Sequence, residues 1–209
     1  MKKLILLLSI VSIAFVSCKE EKAKTIKQQL AKKEVVKPIV KKVKDVIVWR
    51  GYKPTGSHVG TIDVKSANFK FESDNLIGGK IVFDMNTIKN NDLKDAGDNA
   101  DLVNHLKSTD FFDIIKNPTS TFEITEVKSD KEGKLQIDGN LTLNGTTKKI
   151  SFPANIVKSD DGSKTLKSNI IKIDRTDYGV KYKSKKFFAN LKDKFINDEF
   201  DIAFKIQLK

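Results

Sequence analysis

Few residues in this chain could do chemistry. The histidines are His58 and His105, the only side chains whose ordinary pKa lies close to neutrality. Hydrolysis would need a nucleophile, a base and an orienting acid in register. Ser57 adjoins His58, but neighbours on a strand point to opposite faces. His105 follows Asp101 by four residues, a spacing that suits a contact on a helix and suits a surface pair equally well. There is no Gly-x-Ser-x-Gly elbow and no His-x-x-x-His or Cys-x-x-Cys spacing for a metal. Arg175, one of two arginines, stands in Asp174-Arg175-Thr176-Asp177, where a local ion pair suits it better than a ligand contact. These residues predict a protein that is not an enzyme and holds neither cofactor nor metal.

What must position them is a set of strands. The clearest stretch is Leu135 to Ile156, two runs joined by Asn144-Gly145, a pair that favours a two-residue hairpin turn. A tight turn sets Leu143 opposite Thr146, Leu141 opposite Lys148, Gly139 opposite Ile150 and Ile137 opposite Phe152. All the apolar residues then share one face, and a slip of one residue would turn a strand's set outward. Val46 to Trp49 is apolar on both parities, which predicts a strand covered on both faces. His58, Gly60, Ile62 and Val64 share a parity; Phe69 and Phe71 follow on a short strand. Ile77, Gly79, Ile81, Phe83 and Met85 alternate, as do Phe122 and Ile124 within 121–127. Further strands are expected over 165–173 and from Phe200 through Ile202, Phe204 and Ile206 to Leu208. Eight or nine strands with one apolar face each suit an antiparallel barrel or a sandwich.

Two long connections, 87–119 and 174–198, interrupt the meander. In the first, Asp98-Asn99 reads as an N-cap for a helix carrying Ala100, Val103 and Leu106. The second is rich in Tyr178, Tyr182, Phe187, Phe188, Leu191, Phe195 and Ile196. Connections this long are often lids or binding loops. They either plug the barrel as ordinary core or frame the entrance to a cavity.

The charge of +12 is misleading. Residues 1–44 hold 12 Lys and 3 Glu, or +9, leaving +3 for 45–209. The basic excess lies outside the strands, so nucleic acid is not an expected partner. Lys2-Lys3, an apolar run from Leu4 to Val16, and Ser17 before Cys18 make a secretory signal over 1–17, since a bilayer span takes roughly 20 apolar residues. Cys18, the single cysteine, sits where the lipobox of bacterial lipoproteins places an acylated thiol. The sequence from Cys18 to Lys44 is too polar to fold alone and reads as a tether, with the domain at 45–209. Lys19-Glu20-Glu21 resembles a lipoprotein surface-export signal. The expected location is the cell envelope, at the outer membrane, facing the periplasm or the surface.

Four ordered segments carry a family resemblance. They are Lys53-Pro54-Thr55-Gly56-Ser57-His58, His105 to Asp113 (HLKSTDFFD), Gly139 to Lys148 (GNLTLNGTTK) and Asp174 to Gly179 (DRTDYG). Together they resemble YceI-like proteins over the whole of 45–209. The resemblance implies an all-β, lipocalin-like antiparallel barrel of about eight strands, with one or two short helices in its long loops. It further implies that the lumen holds a long amphiphile, such as a polyisoprenoid or isoprenoid quinone, in a membrane-anchored carrier or storage protein. Strand parity nominates the lumen residues as Ile62, Val64, Ile81, Phe83, Met85, Phe122, Ile124, Ile137, Leu141, Ile150, Phe152, Phe200, Ile202 and Phe204. His58 and Lys148 are candidates for the polar head, and Cys18 for the lipid anchor. A surface interaction module using the barrel as scaffold is the alternative, and a hydrolase a more distant one. Oligomeric state, monomer or dimer, is left open.

Overall fold

The computed structural model describes residues 45–208, so the expected signal, tether and Cys18 anchor lie outside the described residues. The strands are β1 (Val46–Lys53), β2 (Gly56–Glu72), β3 (Asn75–Asn90), β4 (Thr119–Ser129), β5 (Leu135–Leu143), β6 (Thr146–Lys158), β7 (Lys164–Ser168), β8 (Ile171–Asp174) and β9 (Glu199–Leu208). One helix, α1 (Ala96–Lys107), stands between β3 and β4. Strands β1 to β7 pair antiparallel in succession, β7 pairs with β9, and β1 pairs with β9 to close the sheet on itself. Closure removes the exposed edges that a sandwich would have had to protect. Both β7 and β8 lie along β9, with Leu166 opposite Ile206 and Ile171 opposite Ile202. They are two halves of one stave, so nine strands make an eight-stave barrel. The expected single strand over 165–173 breaks because Ser168 turns its hydroxyl to the β9 backbone, accepting from the Phe204 N–H at 3.0 Å.

The β5–β6 hairpin has the register that the alternation and the Asn-Gly turn dictate: Leu143↔Thr146, Leu141↔Lys148, Gly139↔Ile150, Ile137↔Phe152. Asn144 and Gly145 take φ of 48° and 73°, the two positive values that make such a turn follow the strand twist.

Elsewhere bulges break the two-residue period. β2 runs unbroken for 17 residues, and an irregularity between Val64 and Ser66 switches its inward parity, so that Ala67 and Phe69 follow Val64 opposite Ile81 and Gly79, while Phe71, past a further shift, is exposed. The short separate strand expected at Phe69 and Phe71 is the far half of β2. A similar shift corrects the start of β3: Leu76 is buried, whereas Ile77 is 47% exposed. Gly79 makes this possible, with φ of 155° and a position where a Cβ would stand 2.6 Å from the Asn68 carbonyl oxygen. β1 is not covered on both faces, since Ile47 and Trp49 are buried but Val48 is exposed.

An up-and-down order sends the connections alternately to the two barrel ends. The closed end has the short turns β2–β3, β4–β5 and β6–β7, and the barrel nearby is filled by Ile81, Phe122, Ile124, Ile137, Phe152, Leu166 and Phe204. The Phe152 ring lies 5.3 Å from that of Phe122 and 5.7 Å from that of Phe204, centroid to centroid. The other end carries β1–β2, β5–β6 and both long connections. Helix α1 is capped by Asp95, whose carboxylate accepts from the Asp98 N–H at 2.9 Å; the expected Asp98-Asn99 cap falls one turn inside the helix.

Candidate functional site

At the open end the barrel holds a cavity of about 230 Å³. Every connection of that end contributes to it: Tyr52, Lys53 and His58 beside the β1–β2 turn, Leu102, Leu106, Phe111 and Phe112 from the helical connection, Leu141 and Leu143 from the hairpin, and Arg175, Ile196 and Asn197 from the last connection. Ile47, Trp49, Gly51, Ile62, Phe83, Met85, Ile88, Ser120, Phe200 and Ile202 complete the wall. The wall is overwhelmingly apolar, and a hydrocarbon chain placed there would gain about 0.8 kcal/mol for each CH₂ taken from water.

Of the fourteen parity-nominated residues, Ile62, Phe83, Met85, Leu141, Phe200 and Ile202 border this cavity. Ile81, Phe122, Ile124, Ile137, Phe152 and Phe204 are buried in the packed cluster below it, with Val64 and Ile150 half-buried against that cluster. Lys148 has the register position opposite Leu141, but it is exposed and takes no part in the cavity wall. Parity identifies a face; only the volume left between side chains tells which part of that face is open.

His58 does line the cavity, and its Nδ1 lies 2.9 Å from the Asp92 carboxylate. Asp92 also accepts from the Val59 N–H at 2.8 Å and the Asn90 side chain at 2.6 Å. Burial pushes the Asp92 carboxyl up, but those three hydrogen bonds outweigh it and hold the group below the usual carboxylate range. With Nδ1 committed to Asp92, Nε2 is the ring nitrogen left for a second partner. Ser57 faces the other way, accepting from Arg50 at 3.5 Å, and the Ser120 hydroxyl at the cavity wall donates to the Thr142 carbonyl at 2.6 Å. Neither is aligned with His58 as a nucleophile. His105 pairs with Asp110 at 3.0 Å rather than with Asp101. Its ring stands edge-on to Phe111 and Tyr182, so it joins the two long connections. Among the described residues no cluster of three or more His, Cys, Asp or Glu could hold a metal ion.

The remaining polar groups build the rim. Arg175 is 3% exposed and donates to three backbone carbonyls, those of Asn197 (3.0 Å), Val180 (2.9 Å) and Ile196 (3.0 Å), as well as to Asp198. Its ion pair is with Asp198 at 3.4 Å, across the connection, rather than the local pair expected within Asp174-Arg175-Thr176-Asp177, and its larger role is to clamp both ends of the 175–198 connection together. Asp174 accepts from Thr176 and from Lys186. Asn144 at the hairpin tip donates to the Tyr178 carbonyl and accepts from Asn117, each at 3.1 Å. Both long connections are thus pinned to one turn. Asp92 and Asn117 were not legible in the sequence, because nothing local marks a loop residue whose partner lies 34 or 27 positions away.

A closed up-and-down barrel, packed at one end and opening through an apolar cavity at the other, defines a lipocalin-like barrel. The chain belongs to the YceI-like family: the YceI-like domain matches residues 14–208. It is 35% identical over 125 residues to a UPF0312 protein of Pseudomonas aeruginosa, covering 54% of this chain and 59% of that one. Against a UPF0312 protein of Enterobacter sp. it is 37% identical over 102 residues, 49% of this chain and 50% of the other. The chain thus spans between half and three fifths of the length of these curated relatives. Among solved structures, BcnA of Burkholderia cenocepacia superposes with a TM-score of 0.63 at 17% identity, covering 79% of this chain and 96% of that one. A polyisoprenoid binding domain from Saccharophagus degradans gives 0.56 at 11% identity, covering 78% and 92%. At these identities the likeness is one of fold.

Proposed function

We propose that the cavity binds the hydrocarbon chain of a long amphiphilic lipid, of polyisoprenoid or isoprenoid-quinone type. In this reading the polar head sits at the mouth beside His58, and the protein serves as a carrier or storage protein anchored to the membrane through acylated Cys18. The observation that carries the reading is the largely apolar wall, whose polar side chains His58, Ser120 and Arg175 are already engaged with protein partners: a site with much to offer a hydrocarbon and little to offer a polar substrate. Membership of the YceI-like family, and the fold shared with a polyisoprenoid binding domain, support it. Lys148, exposed and away from the cavity wall, is not assigned to the head group.

The test is native mass spectrometry, with lipid extraction, of the full chain purified from its membrane fraction. Near-stoichiometric isoprenoid lipid is expected. Ordinary membrane phospholipid alone, in the amount recovered with an unrelated membrane-anchored protein, would overturn the proposal. The anchor has its own test. Cys18→Ser should move the protein out of the membrane fraction, because two or more acyl chains hold stably where one is marginal; full retention would refute it.

A further inference from the structure

The 175–198 connection does more than wall the cavity. Phe187 and Phe188 are each 48% exposed, although side chains of this size were expected to be covered. Their exposure is built in. Both backbone N–H groups donate to the Ser184 carbonyl, at 3.1 and 2.9 Å, and Ser184 is itself fully buried. The Ile196 N–H ties the same turn to the Lys183 carbonyl at 3.0 Å. Two adjacent rings are therefore held outward on a pinned turn.

Charge is concentrated in the same place. Residues 181–194 hold six lysines and one aspartate, a balance of +5. Since 45–209 carries only +3, everything else in the domain sums to −2. Of the six, Lys186 is paired with Asp174 and Asp198. Lys181 lies over the Phe187 ring at 4.8 Å, Lys183 over Tyr182 at 5.2 Å and Lys185 over Phe195 at 3.5 Å. Ammonium groups held against aromatic rings set cationic charge directly beside exposed apolar surface, which suits a boundary between an apolar layer and an anionic one.

We infer that this turn docks the open end of the barrel onto an anionic bilayer surface, with Phe187 and Phe188 entering the interface and the surrounding lysines meeting the lipid headgroups. Aromatic rings and basic side chains are the pair of features that hold peripheral segments at such surfaces. A second copy is a poor partner for this patch, since a two-fold contact would set one +5 loop against another. Ile196 and Asn197 of the same connection border the cavity, so docking would set the mouth at the membrane, where a lipid could pass without crossing water. The docking stands on the turn's own chemistry and does not depend on the cavity's being filled.

The experiment uses the full chain with Cys18→Ser, which removes acylation, and Phe187→Trp as a local reporter. Trp49, the one native tryptophan, borders the cavity, so the Cys18→Ser chain without the reporter is titrated in parallel and its signal subtracted. The probes are vesicles of phosphatidylcholine, alone or with about one third phosphatidylglycerol, carrying brominated acyl chains. The expected result is a blue shift and quenching of the reporter with anionic vesicles, weakened by added salt. Phe188→Ser, or glutamine at Lys181, Lys183, Lys185, Lys192 and Lys194, should lower partitioning by on the order of tenfold or more. Glutamine at Lys70, Lys80, Lys131, Lys134 and Lys158, toward the closed end, should leave it unchanged. Any of three results would overturn the inference: a reporter indifferent to anionic vesicles, equal loss from the closed-end set, or a concentration-dependent blue shift without vesicles. Lumen lipid measured by mass spectrometry is a separate readout, so the two proposals can fail independently.

Discussion

At the residue scale, Arg175 shows how a charge comes to be buried in a lipocalin-like barrel. Burial pushes its guanidinium down, and Asp198 and Asp174 oppose that. Its three backbone acceptors lose their donor if it is truncated, and buried unpaired groups are costly. Arg175→Met should therefore destabilise the barrel by about 3–5 kcal/mol, read from urea unfolding. A loss below about 1 kcal/mol would show the clamp to be incidental. His58 and Lys148 make a contrasting pair. His58→Phe removes the one rim group with an uncommitted ring nitrogen, and lipid retained on purification should drop. Lys148→Met should change nothing. The reverse pattern would relocate the head group to the β6 side of the rim.

At the scale of elements, the 175–198 connection is held by polar pins more than by burial. The Asp174 carboxyl is pushed up by burial, but the hydrogen bonds from Lys186 and Thr176 outweigh that and hold it below its ordinary value. A depressed carboxyl contributes stability that is present above the unfolded-state pKa and is lost as pH falls through the folded one. Asp92 at the mouth has the same sign. Below about pH 4, the connection should loosen while the strands persist. Limited proteolysis with an acid-active protease would then cut within 181–194 before global unfolding. Asp174→Asn should bring that cleavage to neutral pH, and simultaneous loss of strands and loop would argue against independent pins.

For the whole molecule, the division into a packed half and an open half sets what each substitution can test. Phe152 is 2% exposed between two other rings, so Phe152→Asp probes folding and should abolish it. Ile202, only half-buried and on the cavity wall, probes the ligand. Ile202→Trp should occupy the space and reduce bound lipid while thermal stability holds. Delipidation should lower the melting temperature of the parent more than that of the variant, because a ligand that binds only the folded state stabilises it by mass action. Equal shifts would place the lipid elsewhere.

The sequence by itself determined the barrel's grain. The β5–β6 register follows from an alternating pattern and an Asn-Gly turn, both local and each forcing the other. The family follows from four short segments in order. Where the pattern is interrupted, local reasoning lost the thread: bulges at Val64/Ser66 and near Gly79 reverse parity without a compositional mark, so Ile77 was expected inside and Leu76 was not. Only the tertiary structure decided which inward side chains fill space and which surround it, since Phe152 and Phe200 have the same parity signature but different neighbours across the barrel. It also decided which aromatic residues of the last connection are covered. Tyr178 goes inward and Phe187 and Phe188 stay out because Ser184, Arg175 and Asp174 fix the backbone between them, and those bonds join residues that no periodicity relates.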